Sequence, residues 1–121
     1  MTAGDRLSSF ITSSFPSVWS LELLLLLKRE RGAWSRDQLI GALRASELVV
    51  SQAVESLVAG GLASADENGV QYMPVSSSVA KLVDEAEDLY SLKPDKVRRM
   101  IVTSSASGIA AFADAFRLRK D

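Results

Sequence analysis

The sequence predicts a mainly α-helical fold with a small β-wing, and three observations between residues 35 and 74 lead to this class. First, Ser35-Arg36-Asp37-Gln38 fits a capping box, in which a serine and a glutamine side chain satisfy backbone amides at a helix start. Second, a further helix ends at Gly60-Gly61 and places on one face the apolar residues Val50, Val54, Leu57 and Val58. Third, Asn68-Gly69 is a tight-turn signal, and Val70 and Tyr72 alternate after it as in a strand. Helix, helix and hairpin in this order predict a winged helix-turn-helix, which carboxy-terminal helices follow.

The composition limits the chemistry of the chain. Its 121 residues, of which 47% are apolar, are enough for one domain with a core. Cysteine and histidine are both absent, which removes disulfides, thiol nucleophiles, the usual zinc ligands and the commonest general base. The sequence therefore predicts a protein that is not an enzyme and holds no metal or other cofactor. Glu85, Glu87 and Asp88 are predicted to form a charged exterior face rather than a metal site, since no other ligand type joins them.

The first part of the chain predicts two helices and an extended link. Residues 1–16 are expected to form a short helix or arm, which Pro16 ends. A helix then begins at Pro16-Ser17, and its apolar run is far shorter than the roughly twenty residues that cross a bilayer. We therefore expect a buried core helix and no membrane contact. The amino terminus lacks the pattern of a signal peptide, so the expected location is cytoplasmic. Gly32-Ala33-Trp34 is expected to pair with the hairpin.

The remaining residues are divided into a domain at residues 17–75 and a set of helices at residues 76–121. Ser46 is positioned to cap the helix at residues 46–59. Residues 78–92 and a last helix from Ile109 have apolar faces beyond what so small a domain needs, which favours a homodimer. The predicted dimer interface comprises Leu82, Leu89, Ile109, Phe112 and Phe116. A chain truncated after Ser91 is then expected to keep the domain at residues 17–75 folded and to lose dimerisation.

The stretch Val50-Ser51-Gln52-Ala53-Val54-Glu55-Ser56-Leu57, followed by Gly61-Leu62, resembles the recognition helix of bacterial winged helix-turn-helix regulators of the MarR and PadR kind. The resemblance covers residues 17–75. It implies a dimeric transcriptional regulator whose recognition helix enters the major groove of duplex DNA while the wing reaches the backbone or minor groove. The candidate DNA-binding residues are Arg36, Arg44, Leu48, Val49, Ser51, Gln52, Glu55, Ser56 and Asn68. No small-molecule effector is assigned, because core packing is favoured over a ligand pocket for Phe10, Phe15, Trp19 and Trp34.

The charge distribution supports an alternative function. The net charge is −1, and the interval between Arg44 and Lys81 has no lysine or arginine but contains Glu47, Glu55, Asp66 and Glu67. Cations that neutralise phosphates supply most of the affinity of proteins for DNA. The alternative is therefore a winged-helix module that binds another protein and does not bind DNA.

Basic residues are concentrated in two other stretches. Between Lys28 and Arg44 there are five cations against two carboxylates, and between Lys93 and Asp121 there are seven against three. Either stretch could flank a duplex. Either could equally meet the acidic residues Asp84 to Asp88 of the same or another subunit.

Overall fold

The computed structural model describes residues 3–104, which form six helices and one two-stranded antiparallel sheet. In chain order the elements are α1 (Ala3–Ser14), α2 (Val18–Arg29), α3 (Arg36–Leu43), α4 (Glu47–Ala59), β1 (Ala63–Asp66), β2 (Gly69–Tyr72), α5 (Ser77–Leu92) and α6 (residues 94–104). The predicted class, mainly helical with a small hairpin, is confirmed. Ile109, Phe112 and Phe116 of the predicted dimer interface lie outside the described residues.

Serine side chains begin four of these helices. Each accepts a hydrogen bond from the backbone amide three residues later, and the four caps are Ser17, Ser35, Ser46 and Ser76. The predicted capping box is present at α3, where the Gln38 amide donates to Ser35 Oγ over 3.1 Å and the Ser35 amide donates to Gln38 Oε1 over 2.9 Å. These bonds satisfy amides that have no partner within the helix. Local sequence therefore sets the helix starts.

Helix α2 lies at the centre of the core, as its apolar sequence predicts. Five of its leucines are at most 1% exposed, namely Leu21, Leu23, Leu24, Leu25 and Leu27. Helix α2 packs against α4 and β2. From α4 the core receives Val50, Ala53, Val54 and Leu57. The prediction that Val58 belongs to this buried face is wrong: Val58 is 40% exposed, because Ala53 and Leu57, four residues apart, define the edge of the face and Val58 lies beyond it.

The hairpin is present, but its turn lies one residue earlier than the Asn68-Gly69 signal indicates. Asp66 pairs with Gly69, so the two turn residues are Glu67 and Asn68. The Asn68 amide donates to Asp66 Oδ1 over 2.8 Å, a local bond that aspartate favours in turns. Gly69 supplies the positive φ, +127°, at the first residue of β2. The predicted pairing of Trp34 is confirmed by a bridge to Val70.

The terminal helices share the core of the central elements. Ile11 of α1 and Phe15 after it are at most 1% exposed, as are Val97 and Ile101 of α6. From α5, the residues Val83, Ala86 and Tyr90 are buried. Truncation after Ser91 would remove Val97 and Ile101 from the core, so their burial disfavours the expectation that the truncated chain stays folded.

Ion pairs join α2 to α5 within the chain. Lys28 Nζ lies 2.6 Å from Glu87 Oε1 and 3.2 Å from Asp84 Oδ1, and Arg29 Nε lies 3.0 Å from Glu87 Oε2. The sequence allows the basic residues from Lys28 onwards either to flank a duplex or to meet the acidic residues of α5. For Lys28 and Arg29, contact with α5 of the same subunit is confirmed. The Glu87 side chain is only 18% exposed. The prediction that Glu87 belongs to a charged exterior face is therefore wrong.

The two partners at the centre of this network have shifted pKa values. Burial alone raises the pKa of Glu87, but the hydrogen bonds from Lys28 and Arg29 outweigh it and leave the pKa below its ordinary value. The hydrogen bond to Glu87 raises the pKa of Lys28, and burial only partly opposes this. Both shifts favour the charged forms, so the network stabilises the folded chain while Glu87 is ionised.

The substitution Glu87→Gln should flatten the acid side of the stability profile. A lowered folded-state pKa means that Glu87 contributes stability above its ordinary pKa of 4.5, and that the contribution is lost as the pH falls through the folded-state value. At neutral pH we expect the variant to lose about 1–2 kcal/mol, and the difference from wild type should shrink below pH 4.5. Urea denaturation over a pH series measures this. Asp88→Asn, at an exposed position of α5, serves as the control; an equal change in both variants would contradict the assignment.

Candidate functional site

The outer side of α4 is the first surface to consider, because the sequence assigns this helix to base recognition. The buried residues of α4, namely Val50, Ala53, Val54 and Leu57, face the core, so the opposite side of the helix faces solvent. We call this surface the α4 face; it comprises the exposed residues Glu47, Leu48, Gln52, Glu55 and Val58 and the half-buried Ser51. The α4 face thus contains four of the residues predicted to contact DNA: Leu48, Ser51, Gln52 and Glu55.

Exposed apolar side chains lie at both ends of the α4 face. Leu48, in the first turn of the helix, is 66% exposed, and Val58, in its last turn, is 40% exposed. Beyond the helix end Val75 is 73% exposed, and its amide donates to the Gly61 carbonyl over 2.8 Å. A Cβ at Gly61 would lie 3.1 Å from Val75 Cγ1, so Val75 packs directly on the turn that follows α4. Apolar surface therefore extends past the helix towards the end of the hairpin.

One cation reaches the α4 face from a neighbouring helix. Arg36 Nη1, at the start of α3, donates to Ser51 Oγ over 2.8 Å. The sequence proposes both residues for DNA binding, and the structure places them in contact. Arg44 lies in the turn between α3 and α4 with a left-handed φ of 54°, and its side chain is exposed. No sequence signal indicates the Arg36–Ser51 bond, since it depends on how the two helices cross.

The hairpin tip brings further negative charge to the same side of the molecule. Asp66, Glu67 and Asn68 are all exposed. Together with Trp34, Arg36 and Asp37 they line a groove of about 330 Å³ between the tip and the start of α3. Arg36 thus shares this groove with three carboxylates, Asp37, Asp66 and Glu67, and is bonded to Ser51. The surface formed by the α4 face and the hairpin tip has a net negative charge.

Trp19 of α2 walls two grooves and is 41% exposed, so the prediction that it packs in the core is wrong. The first groove, of about 330 Å³, contains Val49, Gln52 and Ser56 of α4. The second, of about 590 Å³, contains Leu43, Glu22 and Arg98. Of the other aromatic residues, Phe15 is buried and Phe10 and Trp34 pack against the core, as predicted. Three predicted site residues, Val49, Gln52 and Ser56, therefore lie beside an exposed indole.

Several other basic side chains are engaged within the chain. The Arg31 guanidinium lies 4.8 Å from the centre of the Tyr72 ring, and its Nε donates to the Lys28 carbonyl over 2.8 Å. The Arg98 guanidinium lies 5.5 Å from the centre of the Tyr90 ring. Lys28 and Arg29 bind the carboxylates of α5, as described above. Four cations thus have partners within the chain other than the α4 face.

The two predicted dimer residues within the described part of the chain are both on α5. Leu89 packs against the core of its own chain. Leu82 is half-buried and lies in a shallow groove with Arg6, Lys81 and Glu85.

Comparisons of the chain with protein-family models, with curated proteins and with solved structures find no match. Within residues 3–104, no one helix has the length and apolar content that a membrane span needs; α1 and α2 reach them only jointly, across a bend of 103°. In the same part of the chain, no group of three or more carboxylates is arranged to hold a metal ion.

Proposed function

We propose that this chain is a winged-helix domain that binds a protein through the α4 face. The observation that carries the proposal is the combination of exposed Leu48 and Val58 with Glu47 and Glu55 on the helix that would otherwise read DNA. Exposed apolar side chains such as Leu48 gain free energy when a protein partner buries them. Carboxylates on the same surface disfavour a polyanion and favour a partner with cations.

The arrangement of elements supports the winged-helix part of the proposal. Helices α2, α3 and α4 are followed directly by the β1–β2 hairpin. Trp34, which precedes α3 in the chain, pairs with Val70 of β2. Helix α4 packs against both α2 and α3. Its outer side is the one that a recognition helix would present to a groove. The same exposed helix is equally suited to a protein partner, because a fold does not by itself determine the function.

Duplex DNA is the second candidate, and the Arg36–Ser51 bond favours it. Arg36 brings one cation to the α4 face, and the neighbouring Gln52 is a residue type that pairs with adenine. Base contacts of this kind normally accompany several phosphate contacts. Here Glu47 and Glu55 lie on the same face as Arg36, and Asp66 and Glu67 at the hairpin tip add to the repulsion of phosphates. We therefore place DNA binding second.

The substitution Leu48→Asp should abolish capture of protein partners by the chain. A charge at the most exposed apolar position of the α4 face would oppose burial of that face, while the fold should remain intact because Leu48 is 66% exposed. Capture from lysate of the native host, followed by mass spectrometry, measures this. Leu92→Asp is the matched control, since Leu92 is an exposed leucine, at 79%, outside the α4 face. Equal capture by both variants would contradict the proposal.

A salt series with random-sequence duplex DNA separates the two candidates. Fluorescence anisotropy should show no binding by the wild-type chain, even at low ionic strength. Binding that is steeply weakened by salt, and is reduced by Arg36→Ala, would instead establish the DNA candidate.

A further inference from the structure

A second surface of the chain complements the α4 face in charge. It is a groove of about 700 Å³ between α1 and α6, which we call the α6 groove. It is lined by Ser8, Thr12, Lys96, Arg99, Met100 and Thr103. Lys96 and Arg99 are exposed and lie three residues apart, so their charges are neighbours on one side of α6.

The α6 groove also offers apolar contacts. Met100 is half-buried and lines the groove. The Thr12 hydroxyl is directed to its own helix, where it donates to the Ser8 carbonyl over 3.1 Å. The groove therefore combines an apolar part with a pair of cations, which suits an apolar side chain accompanied by carboxylates.

We propose that the α4 face of one molecule docks into the α6 groove of a second copy of the chain. This inference rests on the proposed function, because it names the partner of the α4 face. Leu48 and Glu55 are seven residues apart and so lie on the same side of α4, separated by about 10 Å along its axis. In the docked pair Leu48 lies against Met100, and Glu47 and Glu55 lie near Lys96 and Arg99 of the other copy.

The two kinds of contact have different roles in this interface. Exposed ion pairs contribute little to affinity, so the apolar contacts of Leu48 supply most of it. The charges determine which surfaces meet, since two α4 faces repel each other, as do two α6 grooves. The interface is heterologous, because each copy uses a different surface. Such contacts give rings or open chains rather than a closed symmetric dimer.

The test uses complementary charge reversals in the chain of 121 residues. One variant, Glu47→Lys/Glu55→Lys, alters only the α4 face, and the other, Lys96→Glu/Arg99→Glu, alters only the α6 groove. Sedimentation velocity up to about 0.2 mM protein should show association of the wild type that weakens with salt. Each variant alone should associate at least about tenfold more weakly than the wild type. An equimolar mixture should recover association, because the intact α6 groove of the first variant meets the intact α4 face of the second.

Three results would overturn the proposal. The first is a monomeric wild type over this concentration range. The second is a mixture that associates no better than its components, which would mean that the α4 face and the α6 groove do not bind each other. The third is that both variants associate as strongly as the wild type, which would place the interface elsewhere, for example on the apolar side of α5. Glu30→Lys/Asp88→Lys changes the net charge by the same amount as Glu47→Lys/Glu55→Lys, at exposed positions outside both surfaces, and should associate like the wild type.

The outcome is distinguishable from failure of the proposed function. If the wild type stays monomeric but Leu48→Asp still loses capture of a different protein, only the identity of the partner is wrong. If the wild type neither associates nor captures a protein, the proposed function fails as well.

Discussion

The substitution Gly69→Ala should destabilise the chain by about 3 kcal/mol or more, through two effects that act together. Gly69 has a φ of +127°, which side-chain-bearing residues rarely adopt. A Cβ at this position would also lie 2.7 Å from the Trp34 carbonyl oxygen. That oxygen accepts the Val70 amide over 2.8 Å, so it cannot move away without breaking the bridge. Urea denaturation followed by circular dichroism measures the loss.

Gly32→Ala separates the two effects. Gly32 has a similar φ of +120°, but a Cβ there would meet nothing within 4 Å. The alanine variant should therefore show backbone strain alone, about 1 kcal/mol. Equal losses at both positions would mean that the contact with Trp34 relaxes, and that Gly69 is required only for its backbone conformation.

The substitution Ile101→Ala should cost about 3 kcal/mol, because α6 belongs to the core. Ile101 is 1% exposed and lies in the same buried cluster as the leucines of α2. Alanine would leave a cavity that the surrounding side chains fill only in part. The free energy of unfolding from urea titrations gives the value.

The neighbouring residue provides a control for this prediction. Val102 is 58% exposed, and Val102→Ala should stay within about 0.5 kcal/mol of the wild type. A stable, cooperatively folded chain truncated after Ser91 would contradict the assignment of α6 to the core. It would restore the view that the helices after Ser91 serve only assembly.

Elements set by local rules could be predicted from the sequence. Ser35 and Gln38 form their capping box because the bonds join residues three apart. The pairing of Trp34 with Val70 joins distant residues, and it was predictable only from the order of elements in a winged helix. The turn illustrates the limit of such rules. Asn68-Gly69 correctly indicates a tight turn, but the bond to Asp66 and the positive φ of Gly69 place it one residue earlier.

The site required information that helical spacing does not contain. Periodicity gives the buried stripe of α4 to within about one residue, which is why Val58 was assigned to the wrong side of its edge. The exposure of Trp19 depends on the grooves on either side of α2. The contacts of Arg36 with Ser51 and of Lys28 with Glu87 join residues distant in sequence. The carboxylates of the negative side could be read from the sequence between Arg44 and Lys81, but the position of Arg36 among them could not.

The bridge between Trp34 and Val70 has a consequence for the motions of the free chain. Its two hydrogen bonds, each 2.8 Å long, join the segment before α3 to the strand after α4. Helices α3 and α4 and strand β1 therefore lie within a closed loop, which can open only if the bridge and the core contacts of α4 are lost together. We therefore expect the backbone of the α4 face to be ordered before any partner arrives. Little conformational entropy is then lost on docking, so that even a small interface can be occupied.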